Sequence, residues 1–283
     1  MSLIPALPVT PLDASAAAAL LAQAQVLDAR GTAAFAAGHL AGAGRMSVDE
    51  FHALRAELPP RTSTVLVVHD EPAEAQRAAV AMGGLGYPHV FWLDAPLAAL
   101  PGGHAETGPA LRMWRPSPWL EAVRDALPPG RSLDLAAGSG RESVYLALDG
   151  WDAHAWDHDA GALERAAALA GRHGTAIRTH VVELERGDLP ETGAGFDVVM
   201  VFRYLHRPLW PWIEAAVAPG GVLVYETFLE AQAVHGRPKQ ARFLLKPDEL
   251  RGAFPGLTVE RYEECEGTQS PVMARLLARR PHA

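Results

Sequence analysis

The sequence predicts an α/β protein, in which short apolar strands alternate with helices around parallel sheets. Three observations favour this fold class. Residues 132–141, SLDLAAGSGR, are typical of a strand that leads into a glycine turn and then a helix. Residues 196–201, FDVVMV, form an apolar run, as expected of a parallel strand buried on both faces. Near the start of the chain, the apolar segments 65–70 and 90–94 also alternate with helical stretches.

The chain length predicts two domains, because 283 residues exceed one ordinary domain. Residues 100–109, LPGGHAETGP, are rich in residues that interrupt helices and strands. We therefore expect one domain over residues 1–100, a linker over 101–112 and a second domain over 113–283.

The composition of the chain indicates which binding partners and which cellular compartment to expect. A formal net charge of −8 argues against a general nucleic-acid binder. No apolar run approaches the ~20 residues that a membrane span needs. The start, Met1–Pro5, lacks the basic segment of a secretory signal, and a single cysteine, Cys265, is consistent with a reducing compartment. The sequence predicts a cytoplasmic protein without nucleic-acid, membrane or metal binding, and it leaves a homodimer open.

The glycine turn predicts a nucleotide-like cofactor. Gly138 and Gly140 lack Cβ atoms, so the backbone there can turn sharply and approach a ligand. The helix that follows presents unpaired N–H groups at its start. Ser143 replaces the third glycine of a G-x-G-x-x-G pattern, and Asp134 precedes the turn by four residues. Because a carboxylate there favours an ammonium group over a pyrophosphate, an NAD-type oxidoreductase is the weaker alternative.

A second acid follows at the end of the next strand. Residues 151–157, WDAHAWD, end in Asp157, which is placed to accept hydrogen bonds from ribose hydroxyls, with Asp159 as its rival. Here the chain resembles class I S-adenosylmethionine-dependent methyltransferases, which share the D-x-x-x-G-x-G motif and an acid after the second strand. More narrowly, it resembles bacterial methyltransferases of the tellurite-resistance and thiopurine type.

The resemblance implies a Rossmann-like, seven-stranded methyltransferase sheet with an antiparallel terminal hairpin, and S-adenosylmethionine as cofactor. Its further strands match residues 177–182, 218–226, 257–262 and 271–277. The implied cofactor-binding residues are Asp134, Ala136, Gly138, Gly140, Arg141, Asp157, His158, Glu183, Leu184 and Phe202.

The cluster RYLHR, residues 203–207, is the candidate substrate side. It follows the fourth strand of the second domain, and ligands of open α/β sheets bind beyond the carboxyl ends of strands. Arg203 and His206 are the predicted catalytic residues: the arginine would hold an anion and the imidazole would take a proton near neutral pH. Tyr204, Arg207 and Glu226 are predicted to bind substrate, or, for Glu226, to orient one of the two arginines.

The first domain resembles a rhodanese domain. The matching positions are Asp28, Arg30, Gly38, His39, Gly42 and Ala43. A rhodanese carries its nucleophilic cysteine after the strand that corresponds to residues 65–68, where this chain has HDEPAE. Since a carboxylate cannot carry a transferable sulfur, we expect a structural or recruiting domain without sulfurtransferase activity.

The function predicted from the sequence is transfer of a methyl group from S-adenosylmethionine to a small-molecule acceptor by direct displacement. The protein would mainly contribute alignment and exclusion of water. One alternative is a non-catalytic module that binds cofactor or partner for regulation. The sequence does not identify the acceptor.

Overall fold

The computed structural model describes residues 7–186, 189, 191, 195–265 and 271–282. The chain divides into two compact units, Met1–Arg115 and Pro116–Ala283, and each unit is built around its own sheet. Residues 101–112, which the sequence predicts as a linker, fall within the first unit. In the described part of the chain, no helix combines the length and the apolar character that a membrane crossing requires.

The first unit holds a five-stranded sheet in the order β1-β5-β4-β2-β3, and all its pairings are parallel. The strands are β1 Thr10–Leu12, β2 Gln25–Asp28, β3 Gly44–Arg45, β4 Val65–Val68 and β5 Val90–Leu93. The helices are α1 Ala14–Leu20, α2 Thr32–Ala37 and α3 Pro72–Gly84. The central strand β4 reads VLVV because it is buried along its whole length.

The second unit holds a seven-stranded sheet in the order β11-β12-β10-β9-β6-β7-β8. Its strands are β6 Arg131–Leu135, β7 Asp152–Asp157, β8 Arg178–Val181, β9 Phe196–Phe202, β10 Val217–Phe228, β11 Thr258–Glu264 and β12 Met273–Arg279. Its helices are α4 Pro118–Val123, α5 Arg141–Leu148, α6 Ala160–Arg172, α7 Trp210–Ala216 and α8 Gln232–His235. Strand β12 runs antiparallel to β10 and β11, which confirms the predicted sheet with its terminal hairpin.

The sheet separates two apolar cores, and β9 contributes to both. Its side chains Val199 and Val201 pack into one core, whereas Val198 and Met200 pack into the other. This explains why the strand is apolar at almost every position. From β6 the chain proceeds outward through β7 and β8, then returns to place β9 on the other side of β6. A crevice therefore opens at the carboxyl ends of β6 and β9, where open α/β sheets bind ligands.

The turn after β6 has the tight geometry that its glycines predict. Gly138 and Gly140 adopt φ values of +53° and +70°, and Ala136 also has a left-handed φ of 56°. A Cβ atom on Gly140 would lie 2.6 Å from the Cβ of Ala166 in α6. The glycine therefore lets the start of α5 lie directly against α6 and fixes where the turn sits above the sheet.

Candidate active site

Asp134 lies near the end of β6 with its side chain inside the protein, and the residue is 2% exposed. Its Oδ2 accepts a hydrogen bond of 2.8 Å from the Oγ of Ser143, which the first turns of α5 bring over the strand. Burial raises the pKa of the Asp134 carboxyl well above its usual range, and the nearby carboxylate of Glu142 raises it further. The site therefore favours a cationic ligand group, which would remove this penalty.

Asp157 ties two loops together at the end of β7. Its Oδ2 accepts the N–H of Gly138 at 2.8 Å, and its Oδ1 accepts the N–H of Asp159 at 2.9 Å. The residue is buried, whereas its rival Asp159 is exposed at the start of α6. The adjacent His158 is exposed and places Nδ1 3.2 Å from Oδ1 of Asp157. Oδ2 accepts one described hydrogen bond and retains a second lone pair, so Asp157 has acceptor capacity left for a ligand hydroxyl.

A cavity of about 450 Å³ opens beside Asp157. Its lining residues are Ala136, Asp157, His158, Val182, Glu183, Leu184, Glu185, Arg186 and Tyr204. Five of the ten predicted cofactor-binding residues thus lie together: Ala136, Asp157, His158, Glu183 and Leu184. Asp134, Gly138, Gly140, Arg141 and Phe202 lie outside this lining, along the glycine turn and the ends of β6 and β9. Val182, Glu185 and Arg186 are lining residues that the sequence did not predict.

The two predicted catalytic residues follow β9. Arg203 leaves the strand with a left-handed φ of 58°, and its N–H donates to the backbone oxygen of Glu226 at 2.8 Å. The Arg203 side chain is exposed. His206 is half-buried. Within the described ranges, neither side chain is held by an ion pair, so both remain available at the mouth of the crevice.

Tyr204 and Arg207, both predicted to bind substrate, lie in different places. Tyr204 lines the 450 Å³ cavity with the predicted cofactor residues. Arg207 donates to Glu249 from Nη2 at 2.7 Å and to the backbone oxygen of Leu244 at 2.8 Å. The arginine therefore cross-links the turn after β9 to the segment 244–249.

Arg207 also borders a second cavity of about 520 Å³. The lining residues are Arg207, Glu230, Ala233, Lys239, Ala241, Leu244, Lys246 and Glu249. The ammonium groups of Lys239 and Lys246 form no ion pair with any other residue that the structure describes. Since Arg207 and Glu249 neutralise each other, the lysines leave this cavity with a positive excess over Glu230.

Glu226 is a buried member of an ion-pair network, with 2% of the residue exposed. Its Oε2 accepts from Nε of Arg275 in β12 at 2.8 Å, and its Oε1 accepts from Oγ of Ser117 at 2.8 Å. The expected partners of Glu226 were Arg203 and Arg207, but the described ion pair is made by the terminal hairpin instead. Glu226 thus braces the end of β10, whose backbone holds Arg203.

In the first unit, one buried arginine, Arg30, is held by several polar groups at the positions that match a rhodanese. Arg30 pairs with Asp28 at 2.7 Å and with Asp70 at 3.2 Å, and its Nη2 donates to the backbone oxygen of Gly38. Asp70 stands after β4, where a rhodanese has its cysteine loop, and the chain's single cysteine is Cys265. Among the described residues, no group of three or more His, Cys, Asp or Glu side chains is arranged to hold a metal.

Comparison with known families supports both resemblances. The family model of the tellurite resistance protein TehB matches residues 116–268, and the rhodanese-like domain model matches residues 13–98. Both predicted resemblances are therefore confirmed. In the first match, the carboxylates of Asp134 and Asp157 lie on adjacent strands of one sheet.

Individual relatives match only part of the chain. Hemagglutinin 1 of Eikenella corrodens is 28% identical over 155 residues, which is 52% of this chain and 51% of that protein. The probable S-adenosyl-L-methionine-dependent methyltransferase TehB of Haemophilus influenzae is 29% identical over 85 residues, 30% of each protein. The crystal structure of TehB from Haemophilus influenzae superposes with a TM-score of 0.49 and 19% identity, over 57% of this chain and 61% of that one. The chain thus covers about half or less of the length of the curated relatives that it matches.

Proposed function

The chain belongs to the family of the tellurite resistance protein TehB, a family of S-adenosylmethionine-dependent methyltransferases, and we propose that residues 116–283 transfer a methyl group to a small acceptor. The observation that carries the proposal is the buried carboxylate of Asp134 beneath the glycine turn. A carboxylate with a raised pKa and no cation in its described surroundings fits the ammonium group of the cofactor's methionine part. The adjacent 450 Å³ cavity has the size and the acceptor, Asp157, that a nucleoside needs.

When bound, S-adenosylmethionine supplies a methyl group that is already activated on a sulfonium centre. The chain's own residues would bind the cofactor and align it with the acceptor. Asp134 would accept from the ammonium group, and Asp157 from a ribose hydroxyl. Arg203 would hold an anionic acceptor at the mouth of the crevice, and His206 would take a proton from an acceptor that carries one. Alignment and exclusion of water supply most of the acceleration in such a displacement.

The second cavity supports a small anionic acceptor. Its volume of about 520 Å³ suits a small molecule, and Lys239 and Lys246 give it a positive excess. An anion would also explain Arg203, the arginine of the RYLHR cluster that no described ion pair neutralises. We expect the purified protein to form S-adenosylhomocysteine faster with tellurite than with neutral amines or alcohols, as followed by chromatography of the cofactor product. Equal, near-zero rates with every acceptor would favour the non-catalytic module.

The first unit would support the second without chemistry of its own. A sulfurtransferase needs a nucleophilic sulfur after β4, where this chain carries His69, Asp70 and Glu71. Arg30 in the first unit already forms ion pairs with two carboxylates, Asp28 and Asp70, so it does not offer an anion site. These observations support a structural or recruiting role.

Cofactor binding is tested by replacing Asp157 with alanine. Calorimetry should show that the wild type binds S-adenosylhomocysteine, and Asp157→Ala should weaken the affinity by about 30-fold. The variant loses the ribose acceptor and also the tie between Asp157 and the N–H of Gly138, and each hydrogen bond to a charged group is worth about 1.5–3 kcal/mol.

The matched control is Asp159→Ala, which removes the exposed rival carboxylate two positions away. We expect its affinity to stay within about twofold of the wild type. A larger loss in Asp159→Ala than in Asp157→Ala would reassign the ribose acceptor. A wild type that binds no S-adenosylhomocysteine would remove the proposed function itself.

A further inference from the structure

The phenolic oxygen of Tyr204 is buried without a hydrogen-bond partner in the described part of the chain. Six buried side-chain atoms share this condition there: Ser132 Oγ, His154 Nε2, Trp156 Nε1, Tyr204 Oη, Trp210 Nε1 and Thr227 Oγ1. Of these six residues, Tyr204 is the one that lines the 450 Å³ cavity. An unsatisfied buried hydroxyl costs about 1–3 kcal/mol, so a native structure that keeps one beside a cavity points to a ligand that satisfies it.

The backbone holds the Tyr204 side chain in place. The carbonyl oxygen of Tyr204 accepts a hydrogen bond of 3.0 Å from the hydroxyl of Tyr225, which is fully buried in β10. The preceding residue, Arg203, is fixed to Glu226 through its N–H, and the following residue, Leu205, is buried. The backbone of this lining residue is therefore already fixed in the free protein, which lowers the entropy that a ligand must remove.

Tyr204 is the residue of this cavity lining whose hydrogen-bond donor is buried. Burial and the nearby carboxylates of Glu185 and Asp157 raise the pKa of Tyr204, so the hydroxyl keeps its proton. The other described lining side chains with N–H donors are His158 and Arg186, whose side chains are 72% and 77% exposed. Asp157 and the other carboxylates of the lining are acceptors. A nucleoside offers hydroxyl donors to such acceptors and ring nitrogens that need a donor.

We propose that Tyr204 binds the cofactor, with its hydroxyl donating a hydrogen bond to the adenosine part of S-adenosylmethionine. This inference rests on the proposed function and deepens it, since it moves Tyr204 from the substrate side, where the sequence placed it, to the nucleoside. Asp157 would then accept a hydrogen bond from the nucleoside, and Tyr204 would donate one to it.

Tyr204→Phe tests this proposal because it removes only the hydroxyl and retains the ring. We expect the dissociation constant of S-adenosylhomocysteine, measured by calorimetry, to rise about tenfold. The KM for S-adenosylmethionine should rise to a similar extent, while kcat and the KM for the acceptor stay unchanged. The melting temperature of the free variant should equal or exceed that of the wild type, because an unsatisfied buried hydroxyl is gone.

Tyr262→Phe is the control with the opposite signature. The hydroxyl of Tyr262 donates to Glu264 within β11 and lies outside the cavity lining. Its removal should lower the melting temperature of the free protein and leave the affinity for S-adenosylhomocysteine unchanged.

Unchanged affinity in Tyr204→Phe, measured beside a wild type that binds, overturns the inference and leaves the proposed function standing. A raised KM for the acceptor with unchanged cofactor affinity also overturns it and returns Tyr204 to the substrate side. A wild type that does not bind S-adenosylhomocysteine overturns both.

Discussion

Asp134→Asn is expected to abolish cofactor binding and, at the same time, to stabilise the free protein. Asparagine has nearly the same shape and can still accept the hydrogen bond from Ser143. It cannot form the charge-assisted bond to an ammonium group, and the loss of such a buried contact costs roughly 100-fold or more in affinity. In the free protein the same substitution removes a buried carboxylate that lies near Glu142 and Asp157. The free energy of folding then no longer includes the cost of desolvating that charge.

The pH dependence of this effect has a definite sign. Burial raises the folded-state pKa of Asp134 above the unfolded value of about 4. A raised acid pKa destabilises the folded state progressively as pH rises from the unfolded value, and the penalty is complete above the folded value. The stability advantage of Asp134→Asn should therefore grow with pH. The affinity of the wild type for the cofactor should fall as pH is lowered through the same range, because the ligand requires the carboxylate.

Urea unfolding of the free proteins and calorimetry with S-adenosylhomocysteine, both from pH 4 to pH 8, measure these two effects. Asp149→Asn is the matched control, since it neutralises an exposed acid immediately after α5 that pairs with Arg124. It should leave binding unchanged and alter the free energy of unfolding by less than about 1 kcal/mol. Retained binding in Asp134→Asn, or a less stable free variant at pH 8, would contradict the assignment of Asp134.

The strands of the two sheets differ in how well the sequence predicts them. Buried strands such as β4 and β9 have apolar runs that reveal them directly. β1 and β3 have only three and two residues, which is too short for any periodicity, and neither was predicted. Strand β8 was found through its β-branched residues and its place in the family order, although all four of its residues are exposed. The order of motifs along the chain therefore predicts β8, whereas the burial of its residues would not.

The candidate site shows the same division. The sequence predicts Asp134 and Asp157 from their positions along the chain, because Asp134 lies one residue before the end of β6 and Asp157 ends β7. Ser117 and Arg275 were missed because they meet Glu226 only through folding, from positions 109 and 49 residues away. The sequence also could not show that Tyr204 lines the same cavity as the predicted cofactor-binding residues. The left-handed Arg203 ends the alternation of β9, so residues after it no longer follow the faces of the strand.

Arg275→Met is expected to produce a large loss of stability in the second unit. Among the described residues, it leaves only the Ser117 hydroxyl as a partner for the buried carboxylate of Glu226, and breaking a buried pair in this way costs about 3–5 kcal/mol. For a unit of this size, such a loss lowers the melting temperature by roughly 10 °C. Thermal and urea unfolding of the free protein measure it.

The double variant Glu226→Gln/Arg275→Met separates the two contributions to this loss. If the cost arises from an uncompensated charge, then neutralising Glu226 restores most of the stability, even though the ion pair is absent. The single variants should also differ, because Arg275 has a side chain that is 24% exposed and can be hydrated, whereas that of Glu226 is 2% exposed. Glu226→Gln alone should therefore cost less than Arg275→Met alone. A double variant no more stable than Arg275→Met would show instead that the arginine stabilises the hairpin through packing of its side chain, independently of the carboxylate.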